Sequence, residues 1–106
     1  ERPEDFDLKK RLRPAFGLYF NGKPVEVKIR FDRIAAKIVG EDMFHPTQRL
    51  RKHRDGSATL TMKVSGLLEV KFWVLWFGSR ATVLKPKGLR EEVVSELEKA
   101  RANYVK

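Results

Sequence analysis

Val25-Glu26-Val27-Lys28-Ile29-Arg30-Phe31 places an apolar residue at every odd position and a charged one at every even position. Successive side chains on a strand point to opposite faces, so a period of two predicts a strand with one face buried and the other wet. Asp32 comes next, a residue whose side chain can cap a helix, and Ile34, Ala35, Ile38 and Val39 then carry a short helix that Gly40 stops. A strand followed at once by a helix is the opening of a mixed α and β domain.

Further along, the same alternation returns at Ala58, Leu60, Met62 and Val64, with the stretch Gln48 to Arg54 on the other side of Asp55-Gly56. That dipeptide between two such runs is a strong hairpin signal. Leu67 to Phe77 is predicted to be a helix bounded by Gly66 and Gly78, Arg80 to Leu84 a strand, and Leu89 to about Tyr104 a last helix. The last helix has an apolar stripe of Leu89, Val93, Leu97, Ala100 and Tyr104, with Glu91 and Glu92 in its first turn and Lys99 and Arg101 in its later ones. The order β-α-β-β-α-β plus a terminal helix predicts an α+β, ferredoxin-like sandwich, a four-stranded antiparallel sheet with two helices on one face. Residues 25–106 form this domain. Before it, residues 1–24 read as a linker lying on the domain: Phe6, Leu8 and Leu12 suit a short helix that ends before Pro14, and Phe16-Gly17 and Asn21-Gly22 suit turns.

The chain has 106 residues, of which 42% are hydrophobic, enough for one modest core and not for two. No apolar run reaches the roughly 18 residues of a membrane helix, and nothing resembles a secretory signal. There is no cysteine, which excludes disulfides, thiolate metal sites and a cysteine nucleophile and fits a cytoplasmic location. The first residue is Glu1 and not a methionine, which predicts a fragment of a longer protein. The net charge of +9 is concentrated in the middle: Val25 to Lys87 holds thirteen basic residues against six acidic ones. Such a balance attracts anions through a field that salt weakens.

If the apolar members of each strand face the helices, the opposite sheet face carries Lys28, Arg30, Arg49, Arg51, His53, Thr59, Thr61, Lys63, Arg80 and Thr82. Of these, Lys28, Arg30, Arg49, Arg51, Lys63 and Arg80 are the candidate contacts for an anionic effector. The geometry is that of sheets that bind single-stranded RNA, but the aromatic half is missing, since Thr59, Thr61, Lys28 and Arg30 offer no ring to stack a base. The helix from Leu67 to Phe77 is apolar on two sides. At about 100° per residue, Leu67, Val70, Trp73, Val74 and Phe77 make one arc and Leu68, Phe72, Leu75 and Trp76 a second, with Glu69 and Lys71 at the seams. The second arc is the candidate interface, since bulky aromatics one turn apart are typical anchors.

Catalytic and metal chemistry find no support. His45 and His53 lack further ligands at metal spacing, the serines Ser57, Ser65, Ser79 and Ser95 have no base pattern beside them, and no phosphate-cradling glycine loop is present. Acylphosphatase-type chemistry needs an asparagine at an anion loop, and Asn21 and Asn103 lie outside the sandwich. No enzyme activity, cofactor or metal is expected.

The ordered series Val27 to Phe31, Ile34-Ala35, Phe44-His45-Pro46-Thr47-Gln48, Asp55-Gly56-Ser57, Trp73-Val74-Leu75 with Phe77-Gly78, and Val83-Leu84-Lys85-Pro86 followed by Leu89-Arg90 resembles the C-terminal extension (WCX) domain of WYL-domain bacterial transcriptional regulators. Phe6-Asp7-Leu8 and Phe16-Gly17 look like the connection from the WYL domain. The resemblance implies a regulator with an upstream helix-turn-helix and WYL domain, in which this module contributes to dimerisation and to an effector site, the effector in some members being a nucleic acid. The Trp-Tyr-Leu motif and a DNA-reading helix are absent here, so specific operator contact is not expected of this segment. Phe44 replaces a common tryptophan, and Phe72 and Trp76 replace common polar residues. The expectation is a homodimer that works with an upstream WYL domain and a single-stranded nucleic acid or nucleotide effector, without a membrane. The alternatives are a stand-alone single-stranded nucleic-acid binder and a small-molecule sensor domain.

Overall fold

A computed structural model of the chain describes residues 23–40 and 45–105. The helix and turns expected before Lys23, and Phe44, lie outside the described residues. Strand β1 (Val25–Phe31), helix α1 (Arg33–Val39), strands β2 (Arg49–Lys52) and β3 (Ala58–Val64), helix α2 (Leu67–Phe77), strand β4 (Ala81–Lys85) and helix α3 (Lys87–Ala102) follow in that order. The strands form one sheet in the order β2-β3-β1-β4, every neighbouring pair antiparallel. This is the ferredoxin-like arrangement with a helix added at its C-terminal end. No helix among the described residues is long and apolar enough to cross a membrane.

β1 lies between β3 and β4, and its side chains alternate strictly between the two faces. Val27, Ile29 and Phe31 are fully buried, and they lie opposite Met62, Leu60 and Ala58 of β3, which are buried too. A slip of one residue would turn all of them to water, so the pattern fixes the register. Above them Phe31 meets Trp73 and Phe77 edge to face, with ring centroids 5.5 and 5.2 Å apart. Ala35 and Val39 of α1, Val70 and Val74 of α2, and Leu89 and Val93 of α3 complete a single core.

Asp32 caps α1, its Oδ1 accepting a hydrogen bond from the Ala35 N–H at 2.8 Å. The hairpin turn takes more residues than its sequence suggests. His53 N–H donates to Ser57 O (2.8 Å) and Gly56 N–H to His53 O (3.1 Å), so β2 ends at Lys52 and not at Arg54. Gly56 has φ +89°, a conformation that suits only glycine well. Arg80 lies in a 3₁₀ turn (Gly78–Arg80), and β4 begins one residue later than expected.

α2 buries Val70, Trp73, Val74 and Phe77 and exposes Leu68 (50%), Phe72 (57%) and Trp76 (62%). Leu75, expected with that second arc, is partly buried and packs on the core. The seams hold charge: Lys71 Nζ meets Glu96 Oε1 of α3 at 3.6 Å, while Glu69 Oε2 is buried without a hydrogen-bond partner among the described residues.

α3 departs from its expected form twice. It starts two residues early, at Lys87, so Glu91 and Glu92 fall in the second turn and Lys87 and Arg90 occupy the first. Its apolar stripe is only half used: Leu89 and Val93 are buried, whereas Leu97, Ala100 and Tyr104 are exposed. The helix packs on α2 and β4 over its first turns and runs past them near Glu96.

Candidate functional site

The register sets the outward residues of the strands in transverse rows. Arg51 stands opposite Thr59, Thr59 opposite Arg30, and Arg30 opposite Thr82. In the next row Arg49, Thr61, Lys28 and Lys85 follow one another, and beyond it Lys63 faces Glu26. The helices cover the other face, so five of the six candidate effector contacts share one surface that no described helix covers, because they occupy the even positions of β1 and the matching positions of β2 and β3.

Their electrostatic states differ. Lys28, Arg49, Arg51 and Lys63 make no ion pair among the described residues. Glu26 is paired with Lys85, which holds its carboxyl below the usual glutamate range through a hydrogen bond and charge attraction. Arg30 Nη2 lies 3.3 Å from Asp55 Oδ2 and 3.5 Å from Ser57 Oγ. Arg80, the sixth candidate, is off the strand and bonds Asp32 Oδ2 at 3.0 Å. His53 Nε2 and Thr59 Oγ1 are 2.8 Å apart on the same surface. His45 is structural: its Nδ1 accepts from the Thr47 N–H (3.2 Å), and Thr47 Oγ1 in turn accepts from the Lys63 N–H (2.8 Å).

At the end of the sheet where β1 finishes and β3 and β4 begin, Arg30 and Arg80 converge with Arg33 around a cleft of about 370 Å³ that Asp32, Asp55 and Ser57 also line. Both carboxylates are tied down first by other groups. Ser57 donates to Asp55 Oδ1 through Oγ (2.6 Å) and N–H (2.9 Å), and these bonds, ahead of Arg30, lower the Asp55 pKa. Asp32 is lowered first by the Ala35 N–H and then by Arg80. Sequence reasoning missed Arg33 and the cleft. Two signals pointed to it, since a helix cap after β1 and a turn before β3 must meet at one end of an antiparallel pair.

On the helix side, Leu68, Phe72 and Trp76 form an apolar ridge that no described residue covers, with Ile34 and Ile38 of α1 also half exposed (52% each). The ridge and the basic face lie on opposite layers, so the two sets of candidate residues are separate surfaces.

These features define a ferredoxin-like α+β domain with a cationic sheet face that no described helix covers. The model of the WCX domain family matches residues 23–101, and the chain belongs to that family, the C-terminal regulatory modules of WYL-type regulators. Comparison with curated proteins gave no match.

Proposed function

We propose that this domain is a non-enzymatic regulatory module, working in the cytoplasm with an upstream WYL domain, whose open sheet face binds a phosphate-bearing anionic effector. The observation that carries this reading is the set Lys28, Arg49, Arg51 and Lys63: four cations on one sheet face, spread over three neighbouring strands, none in an ion pair among the described residues, the nearby Glu26 being engaged first by Lys85. No Phe, Tyr or Trp stands among the described outward residues of that face, which argues for a site completed by a neighbouring domain and against stacking on the sheet alone.

Four phosphate contacts to a single strand predict that log K falls with log salt at a slope of about −2.8, or roughly fiftyfold in affinity between about 50 and 200 mM. Arg49→Gln removes one contact and is expected to reduce the slope to about −2.1. Fluorescence anisotropy with a labelled single-stranded oligonucleotide measures both. A slope that neither Arg49→Gln nor Lys63→Gln changes refutes the assignment.

The α2 ridge supports a second role, contact with a second copy of the chain, because three large apolar side chains spaced by one turn stay half exposed. Sedimentation over a range of concentrations, repeated with Phe72→Ser and Trp76→Ser, tests it, and a monomer in every case removes this part.

A further inference from the structure

The cleft at the end of the basic face holds three guanidinium groups against two carboxylates. The carboxylates have work apart from the arginines. Asp55 Oδ1 closes the hairpin turn through Ser57, and Asp32 Oδ1 caps α1 through Ala35, so each offers its arginine only the second oxygen, at 3.3 Å to Arg30 and 3.0 Å to Arg80. Arg30 and Arg80 can therefore turn to an incoming anion while the turn and the cap keep their own hydrogen bonds. Both pairs are also well exposed, with side chains 53% and 61% accessible in one and 45% and 44% in the other, and exposed pairs are weak.

Arg33 has no acidic partner among the described residues. Its stem lies across the turn at Gly56, where a Cβ would come within 2.8 Å of Arg33 Cγ. The glycine thus makes room for the third guanidinium to reach the cleft. An internal phosphodiester has one negative charge and two free oxygens. A phosphomonoester has a charge of about −1.5 to −2 and three strong acceptor oxygens, and planar guanidinium groups bind these in pairs.

We propose that this cleft, lined by Arg30, Arg33 and Arg80, is a site for a phosphomonoester: the phosphate of a small phosphorylated molecule or the terminal phosphate of a nucleic-acid strand. The proposal rests on the reading of the sheet face as anion-binding and narrows it, because a strand lying over Arg49, Arg51 and Lys28 would end here.

The test uses the 106-residue chain and an internally labelled oligothymidylate about 12 nucleotides long carrying a 5′-phosphate, a 3′-phosphate or neither. One phosphorylated end is expected to bind about fivefold more tightly than the unphosphorylated strand. Arg33→Gln, at an exposed position outside the sheet face, should abolish that gain while leaving the unphosphorylated affinity within about twofold, and Arg80→Gln should abolish the gain as well. In parallel, inorganic phosphate is titrated while backbone amide NMR shifts of Arg33, Ser57 and Ser79 are followed. Saturable shifts lost in Arg33→Gln, without a gain for either strand, assign the cleft to a small phosphorylated molecule and uphold the proposal. Shifts without binding of any strand uphold the cleft and remove the strand-binding reading of the face. Equal strand affinities with no phosphate shifts overturn the proposal, and a normal salt slope in that case leaves the face intact.

Discussion

Trp73 and Trp76 stand three residues apart on α2 and have opposite surroundings. Trp73 is 9% exposed and packs edge to face on Phe31 and Phe77, whereas Trp76 is 62% exposed and makes one edge-to-face pair, with Phe77 at a centroid distance of 5.0 Å. Replacing a buried tryptophan by alanine costs roughly 3–5 kcal/mol, from lost transfer energy and the cavity left behind. With about 4–8 °C lost per kcal/mol in a domain of this size, Trp73→Ala should lower the melting temperature by at least about 12 °C. Trp76→Ala forfeits one edge contact and little burial, about 1 kcal/mol. Urea and thermal unfolding followed by far-ultraviolet circular dichroism, run at two protein concentrations, separate the possibilities. Equal losses for the two variants at both concentrations would refute the orientation of α2. A Trp76→Ala cost that grows with concentration would identify a second copy on the ridge, since association stabilises by mass action.

Three further outcomes follow from local geometry. Asp32→Ala removes the cap of α1 and should cost about 0.5–2 kcal/mol in urea unfolding, while Asp32→Asn or Asp32→Ser should recover most of it. Gly56→Ala forces a side chain into a backbone with φ +89° and against Arg33, and a loss of about 1 kcal/mol or more is expected; an unchanged midpoint would mean that the turn is built differently. Asp32, Asp55 and Glu26 each have a folded pKa below the ordinary values of 3.8, 3.8 and 4.5, so the unfolded chain takes up protons first as the medium is acidified. Their contribution is complete well above those values and lost as pH falls through the lowered folded ones, so the urea midpoint should be level near neutrality and begin to fall below about pH 5, less steeply in Asp55→Asn.

The sequence was most legible where one rule acted alone. β1 alternates without a break, so its two faces could be read directly, whereas its place between β3 and β4 came from the structure. α2 has glycines at both ends, and its bounds match the structure. Where two rules competed, the reading slipped. The stripe of α3 is periodic down to Tyr104, but periodicity does not say how far the neighbouring layer extends, and α2 and β4 give out before Leu97. Leu75 belongs by angle to the outer arc of α2, yet it lies on the flank that also carries Lys71, toward α3, and is partly covered. On the basic face the identities of the outward cations were visible as alternation. Their states were not, because Asp55 and Asp32 are distant in sequence from Arg30 and Arg80 and meet them only through the fold.

β2 has a consequence for any mutagenesis of the basic face. It is four residues long, three of them cationic, and it forms one border of the described sheet, with backbone groups on its outer side that no described strand pairs. Short border strands carrying positive charge repel the borders of other molecules and so suppress strand-to-strand aggregation. Arg49 and Arg51 therefore guard solubility as well as facing outward, and neutralising both together invites self-association through β2. Single substitutions, checked by light scattering before any binding measurement, keep the two effects apart.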